Sequence, residues 1–232
     1  AGVLWEINYS ACVSLLGGEL VTVVPIDIKI GGIVHDITKR PVVSAICQAV
    51  DSDRCMGGLL SIPCTTWAAS LWLPFPDGSP GKPYRDVDNI RGIMRADGSL
   101  PDKVVEANIQ CEHGAEIFFR LASSDSRFAI SEQPCRRNPN NCVPKHALQG
   151  CERITHMYDH PAWRRVKKFM SVDEVTFEQC KHADDPDPRK TSAKGTVLLR
   201  TKNISEELDP ETEAAQCDHV TPENPHPHRA LR

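Results

Sequence analysis

The sequence predicts a single α/β domain whose mostly parallel sheet ends in an antiparallel hairpin at one edge. A length of 232 residues suits one domain with one hydrophobic core. From Val3 to Ser131, short apolar runs typical of buried strands alternate with segments of helical periodicity. Further along, two β-rich runs follow one another with no helix between them, which indicates an antiparallel pair beside the parallel strands.

The first part of the chain has the order strand, helix, strand. Val3–Ile7 is a short apolar run suited to a buried parallel strand, and Ser10–Leu16 is a predicted helix that ends at a pair of glycines. Leu20–Ile26 is rich in β-branched residues and is the second predicted strand. The apolar residues within Ile33–Thr38 are interpreted as a third strand.

The next predicted helix covers Val42–Val50, because Pro41 stands at a plausible first helical position. Met56–Ile62 then runs apolar into Pro63 and Cys64, so we expect a fourth strand that ends at Cys64. Residues 65–100 are rich in Pro, Gly and Asp and cannot be regular for long. A loop of this length in a compact domain is usually functional or disordered.

Apolar residues recur at helical spacing from Asp102 to Ala122, which predicts a helix that packs on the sheet. Arg127–Ser131 is the fifth predicted strand; Glu132 follows it and Pro134 stops it. A short helix is expected near Trp163–Phe169.

The predicted edge hairpin consists of Val172–Glu178, which alternates as a half-exposed strand does, and Gly195–Thr201. The domain is therefore assigned to residues 1–203. Residues 204–232 form an acidic and then Pro/His-rich tail without apolar periodicity, expected to be extended or disordered. The tail holds four potential metal ligands, but their spacing fits no standard site and a solvated peptide is the preferred interpretation; they are Cys217, His219, His226 and His228.

Composition indicates an intracellular protein that does not enter a membrane. No stretch of 18 apolar residues occurs, and the amino terminus has no basic segment followed by a cleavage site. The 10 cysteines show no CxxC spacing, which favours reduced thiols over a disulfide framework or a zinc ribbon. We therefore expect a location in the nucleus or cytoplasm, or within a viral particle.

A basic segment, residues 133–170, stands out against the net charge of −4. One interpretation is a solvated surface balanced by acidic loops, and the other is a patch that faces nucleic-acid phosphates. Only Glu152 and Asp159 oppose its basic residues, which are Arg136, Arg137, Lys145, Arg153, Arg164, Arg165, Lys167 and Lys168.

Four short motifs occur in order along this αβ pattern: Ile62–Trp67 with its Pro-Cys, Ser131–Pro134 with its Glu-Gln-Pro, Glu178–His182 with its Gln-Cys, and Arg189–Thr191 with its Lys-Thr. In their order and spacing the chain resembles the DNA cytosine methyltransferases, especially divergent forms from phages, viruses, mobile elements and protists. The similarity covers roughly residues 3–228.

The resemblance implies a Rossmann-like class I methyltransferase fold and a reaction on cytosine in DNA. Cys64 would attack carbon 6 of a flipped-out cytosine while Glu132 holds and protonates the ring at N3, and carbon 5 would take a methyl group from S-adenosylmethionine. Glu6, Asp27 and Asp36 would contact the cofactor, and the basic segment would bind DNA. For each Asp alone, a role as helix cap or turn residue is the alternative.

Three departures from the family pattern keep a second function open. Asn8–Cys12 contains no glycine where the family has a glycine-rich turn, Thr65 stands in place of Gln, and Gln133 stands in place of Asn. The alternative is a catalytically inactive, methyltransferase-like module with a structural or nucleic-acid-binding role, whose expected protein partners belong to a viral or mobile-element assembly. In that case Cys64 is a small hydrophobe at the end of a strand. Trp67 and Trp72 are interpreted as core or loop anchors.

Overall fold

The computed structural model describes residues 2–7, 21–72, 75, 77–134, 153–178 and 195–204. Within these residues the chain forms a mixed sheet of six strands with helices packed against it, so the predicted α/β class is confirmed. The strands are β1 Gly2–Ile7, β2 Val21–Ile26, β3 Cys55–Leu60, β4 Phe128–Pro134, β5 Val172–Glu178 and β6 Gly195–Thr201.

The strands lie in the order β2-β1-β3-β4-β6-β5. β1 pairs in parallel with β2 and with β3, and β3 pairs in parallel with β4. β6 runs antiparallel to both of its neighbours, β4 and β5. The antiparallel pair predicted from the sequence therefore has the expected bounds, and β5 is the edge strand of the described sheet.

Four α-helices accompany the described strands, and the longest has the bounds that its periodicity predicts. They are α1 Ile28–Gly31, α2 Arg40–Val50, α3 Asp102–Ala122 and α4 Pro161–Phe169. Short 3₁₀ helices cover Gly32–His35, Ala69–Trp72, Met157–Asp159 and Lys202–Ile204. Among the described residues, none of the helices combines the length and apolar character that crossing a membrane requires.

The core lies where α3 and α4 meet the sheet. Phe118 and Leu121 of α3 are fully buried, as are Trp163 of α4 and Tyr158 just before it. The Trp163 ring is 5.4 Å from the Phe118 ring and 5.1 Å from the Tyr158 ring, measured between centroids. These edge-on and tilted contacts are the favoured geometries for aromatic pairs. Trp163 is therefore the centre of the aromatic core.

The third strand predicted over Ile33–Thr38 is wrong. Its first residues form the 3₁₀ helix Gly32–His35, and Asp36 then closes a turn. The Asp36 carboxylate accepts hydrogen bonds from the backbone N–H of Thr38 (2.9 Å) and from its hydroxyl (2.7 Å). Such local side-chain hydrogen bonds stabilise a turn at the expense of strand pairing. The prediction of a strand rested on apolar content alone, which does not reveal these bonds.

Two predicted strand ends are also shifted. β3 ends at Leu60, four positions before Cys64, which lies in the irregular segment that follows. β4 continues through Glu132 to Pro134, because Glu132 pairs with Leu198 of β6. This partner is distant in sequence, so local periodicity could not predict the extension. The helix predicted over Ser10–Leu16 and residues 205–232 of the predicted tail lie outside the described residues.

The described part of residues 65–100 contains only turns and one short 3₁₀ helix, as its composition predicts. It is nevertheless tied to the domain. Asp86 accepts a 2.6 Å ion-paired hydrogen bond from Arg153, and the Val87 N–H donates to the Arg153 carbonyl at 3.0 Å. Gly92 has φ +121°, and a Cβ there would lie 2.4 Å from Cγ1 of Val104. Only glycine fits this close approach to α3.

Candidate functional site

The four parallel strands bring their carboxyl ends to one edge of the sheet. The strand order reverses at β1, since β2 lies on one side of it and β3 on the other. In open α/β sheets, ligands bind in the crevice outside the carboxyl ends at such a switch point. Asp27 follows β2 at this edge, Ser61–Cys64 follows β3, and Glu132 lies near the end of β4.

The segment Ser61–Cys64 is joined to β4 by two hydrogen bonds. The Ser61 hydroxyl donates to Oε2 of Glu132 at 3.0 Å, and the Gln133 side-chain amide donates to the Ile62 carbonyl at 2.7 Å. Gln133 is buried, whereas Cys64 and Glu132 are half-buried. Cys64 and Glu132, a thiol and a carboxyl group distant in sequence, are therefore held on adjoining segments at the carboxyl edge of the sheet.

Cys64 begins a turn that is anchored in the core. The Trp67 N–H donates to the Cys64 carbonyl at 2.8 Å, and the Trp67 side chain is buried, as predicted for a core anchor. Just before the turn, Ile62 packs on Gly114 of α3, where a Cβ would lie 2.7 Å from Cδ1 of Ile62. The missing side chain at Gly114 lets this segment lie directly on the helix.

Two residues that the sequence did not single out support the end of β4. Tyr158 donates a 2.6 Å hydrogen bond to the Ser131 carbonyl, and Nε2 of His156 bonds the Pro134 carbonyl at 2.8 Å. Nδ1 of His156 accepts from the Tyr158 N–H, so Nε2 carries the ring proton and is the donor. Burial raises the pKa of Tyr158, which is therefore a neutral donor. Both contacts hold the strand on either side of Glu132.

The three predicted cofactor contacts are not brought into one cluster by any described contact. Glu6 lies in β1, but its side chain is outside the described residues. Asp27 is buried and caps α1, since its Oδ1 accepts from the Lys29 N–H at 2.7 Å. Burial alone would raise the pKa of Asp36, but the hydrogen bonds from Thr38 and the charge of Lys39 outweigh it and lower that pKa. Both Asp side chains thus have the cap and turn roles named as alternatives.

The predicted basic segment is described only in part. Arg136, Arg137 and Lys145 lie outside the described residues. On α4, Lys167 pairs with Glu174 at 2.8 Å. Arg153 pairs with Asp86 (2.6 Å) and with Asp88 (3.2 Å), so part of the positive charge is balanced locally. The exposed cations of α4 are Arg164, Arg165 and Lys168.

No group of three His, Cys, Asp or Glu side chains suited to a metal ion occurs in the part of the chain that the structure describes. The weak candidates Cys217, His219, His226 and His228 lie outside that part. Three of the cysteines within it, Cys47, Cys55 and Cys111, are buried thiols. Burial raises the pKa of Cys111 to about 12, as expected for a structural and unreactive thiol.

No family model, no curated protein and no solved structure matches this chain. The switch point of the sheet and the contacts of Ser61–Cys64 with β4 are the features of the molecule that bear most directly on its function.

Behind the Cys64 turn, His160 is a buried neutral base that makes stability depend on pH. Its Nδ1 accepts from the Ala162 N–H and caps α4, and its ring lies edge-on to Trp67 at 6.1 Å between centroids. Burial, helped by the charges of Arg91 and Arg85, lowers the pKa of His160 to about 4. The unfolded chain therefore binds more protons than the folded one between about pH 6.5 and pH 4, and stability falls as the pH decreases through this window.

We expect the free energy of unfolding to fall by about 2 kcal/mol between about pH 7.5 and pH 5 through His160 alone. Urea denaturation at the two pH values measures this change. In His160→Asn the side chain can still cap α4 but does not titrate, so the drop should be smaller by that amount. Equal drops in the two proteins would show that His160 is not the group responsible.

Proposed function

We propose that this chain is a methyltransferase-like domain that acts on cytosine in DNA, with Cys64 as nucleophile and S-adenosylmethionine as methyl donor. The observation that carries the proposal is the joining of Ser61–Cys64 to Glu132 and Gln133 at the carboxyl edge of the sheet. Parallel strands followed by an antiparallel edge pair are what a class I methyltransferase fold requires, and the described sheet has this pattern.

The chemistry needs a thiolate and an acid that reach one pyrimidine ring from the same pocket. The Cys64 thiolate adds to carbon 6 while Glu132 protonates N3, which draws electrons away from carbon 6 and makes it more electrophilic. When bound, S-adenosylmethionine would supply an electrophilic methyl group to carbon 5 and leave as S-adenosylhomocysteine. Loss of the carbon 5 proton to solvent and return of the N3 proton to Glu132 would then expel the Cys64 thiolate. The Ser61 hydroxyl, by donating to Oε2 of Glu132, holds the carboxyl group in one orientation.

Cytosine must leave the duplex for this reaction, because carbon 6 is hidden in the base stack. DNA is thus the proposed partner, and the exposed cations Arg164, Arg165 and Lys168 of the basic segment would bind its phosphates. Such contacts carry little sequence information, so no target sequence follows from them.

Covalent trapping tests the proposal. A duplex containing 5-fluorocytosine, incubated with the full chain and S-adenosylmethionine, is expected to give an adduct that survives denaturing electrophoresis. The fluorine takes the place of the carbon 5 proton, whose loss would otherwise release the enzyme. Peptide mass spectrometry should assign the adduct to Cys64. Binding of both DNA and cofactor without any adduct would overturn the catalytic role.

A second candidate function is an inactive, methyltransferase-like module that binds nucleic acid. It is favoured by the glycine-free stretch Asn8–Cys12 and by the local roles of the Asp27 and Asp36 carboxylates. Calorimetric titration separates the two functions. Retained DNA binding with no heat from S-adenosylmethionine at millimolar concentration would favour the module.

Glu132→Gln tests the acid directly. Glutamine keeps the size of the side chain and an oxygen that can accept from Ser61, but it cannot deliver a proton to N3. We expect the single-turnover rate of methyl transfer to fall about 10²- to 10⁴-fold with DNA affinity unchanged. The control is Glu106→Gln, which removes an exposed carboxylate from α3 and should retain the wild-type rate. Equal rates for Glu132→Gln and wild type would exclude Glu132 as the acid.

A further inference from the structure

Arg85, in the irregular stretch before α3, is a buried cation with only 2% of its surface exposed. The hydrogen bonds of its guanidinium go to neutral oxygens. Nε donates to the Thr66 hydroxyl at 3.1 Å, and one terminal nitrogen donates to the Ile90 carbonyl (2.8 Å) and to the Asn108 side chain (2.7 Å). The other donates to the Val104 carbonyl at 3.3 Å. The guanidinium of Arg85 thus donates to two separate parts of the domain, the turn that begins at Cys64 and helix α3.

One of these parts is the turn that begins at Cys64. Besides the bond to Thr66, the guanidinium carbon lies 3.8 Å from the centroid of the Trp67 ring. The planar guanidinium stacks on an aromatic face in a way that an ammonium group does not. The Trp67 ring also meets His160 edge-on, so the turn is held between Arg85 and the start of α4.

The other part is α3, through Val104 and Asn108. The Asn108 amide in turn donates to the Arg91 carbonyl at 2.8 Å, which fixes its orientation. Arg85 therefore bridges a rigid helix and the turn whose first residue is Cys64.

Burying a charged side chain costs free energy that burying an apolar side chain does not. Burial lowers the pKa of Arg85 to about 10, so the group is still charged at neutral pH. Taking such a charge out of water costs several kcal/mol, and an apolar side chain of similar size would often stabilise the domain as well or better. What an apolar side chain cannot do is hold Thr66, Trp67 and α3 in one defined arrangement.

We propose that Arg85 is a positioning residue that clamps the Cys64–Trp67 turn onto α3 and thereby keeps Cys64 at the site beside β4. The catalytic importance of this clamp rests on the proposed function, whereas the clamp itself does not. It acts through Thr66 and Trp67 and does not contact the substrate. Its test therefore begins with measurements that need neither DNA nor cofactor.

The full chain and its variants are compared by alkylation of Cys64 with iodoacetamide at several pH values and by hydrogen exchange of the Trp67 amide. In Arg85→Met we expect both rates to rise about tenfold or more, since the loss of these bonds lets the turn open more often. Arg85→Lys should not restore the wild-type rates, because lysine keeps the charge but lacks the planar fork. Arg95→Met is the matched control: it removes an exposed arginine of the same stretch and should leave both rates unchanged.

If Arg85→Met does not fold, Thr66→Val tests the clamp in its place. This substitution removes one hydrogen-bond acceptor of Arg85 and keeps the shape of the side chain. It should show the same changes at Cys64 and Trp67 to a smaller extent. Wild-type rates in a folded Arg85→Met or Thr66→Val variant would overturn the clamp. So would equal acceleration at the buried Cys47 and Cys55, because that result indicates general loosening of the fold.

Activity then separates the two proposals. With a catalytically active chain, Arg85→Lys should lower kcat about tenfold or more with little change in KM for DNA, because the clamp orients the nucleophile and does not bind DNA. An unchanged kcat would overturn the link between clamp and catalysis. With an inactive chain, the alkylation and exchange results still decide whether the clamp exists, and only the proposed function fails.

Discussion

Replacement of Cys64 by serine is expected to lower methyl transfer by at least about a thousandfold and to eliminate the adduct with 5-fluorocytosine DNA. Serine has nearly the same shape and keeps the turn, in which the Cys64 carbonyl accepts from the Trp67 N–H. Its hydroxyl, however, is far less acidic than a thiol and supplies almost no anion at neutral pH. A single-turnover assay with radiolabelled methyl groups measures the loss.

The matched control for this substitution is Thr65→Ser. Thr65 is the exposed neighbour of Cys64 in the same turn, so the change perturbs the chain equally little and leaves the nucleophile in place. It should retain the wild-type rate within about threefold, because it keeps the hydroxyl and removes only one exposed methyl group. Full activity in Cys64→Ser would exclude covalent catalysis at this position.

The largest effect on stability is expected for Trp163→Ala, which should lower the free energy of unfolding by about 3–5 kcal/mol. Trp163 is fully buried and packs on Phe118 and Tyr158. Removing its indole leaves a cavity between α3, α4 and the residues that support β4. Partial relaxation cannot fill such a cavity, which is why large-to-small changes in a core are so costly. Urea denaturation of the two proteins measures the difference.

Phe169→Ala provides the comparison on the same helix. Phe169 is also a large aromatic residue of α4, but 61% of its surface is exposed. Its truncation should change the free energy of unfolding by less than about 1 kcal/mol. Similar losses in the two variants would mean that the packing of α4 differs from that described here.

Several elements of the fold could be predicted from the sequence because their signals are local. The apolar positions of α3 recur with the helical period over 21 residues, and its bounds are as predicted. The β-rich patterns of β5 and β6 follow one another in the sequence with no helical periodicity between them, which allowed their antiparallel pairing to be predicted. The same kind of reasoning failed at Ile33–Thr38, where Asp36 closes a turn and an apolar run does not form a strand.

For the candidate site, the sequence determined which residue types are present: a Pro-Cys after one predicted strand and a Glu at the end of the next. Only the tertiary structure decided that Ser61 bonds Glu132, that Gln133 bonds Ile62 and that β4 extends through both residues to Pro134. These contacts join segments that are separated by the long loop and the whole of α3, and no periodic pattern encodes them. Periodicity in the sequence shows which face of a single helix or strand is apolar. Which side chains bond to one another depends on how the helices and strands pack together.

The same reason explains why Arg85, His156 and Tyr158 were not found. In the sequence they are an arginine within a Pro- and Gly-rich stretch and two residues of a basic segment. Their structural roles come from contacts with residues that are distant along the chain, namely Trp67, Pro134 and Ser131. The sequence by itself determined the α/β class and the residues at the strand ends. The folded chain decided which of those residues meet, because a buried polar side chain must find its hydrogen-bond partners wherever the packing of helices and strands places them.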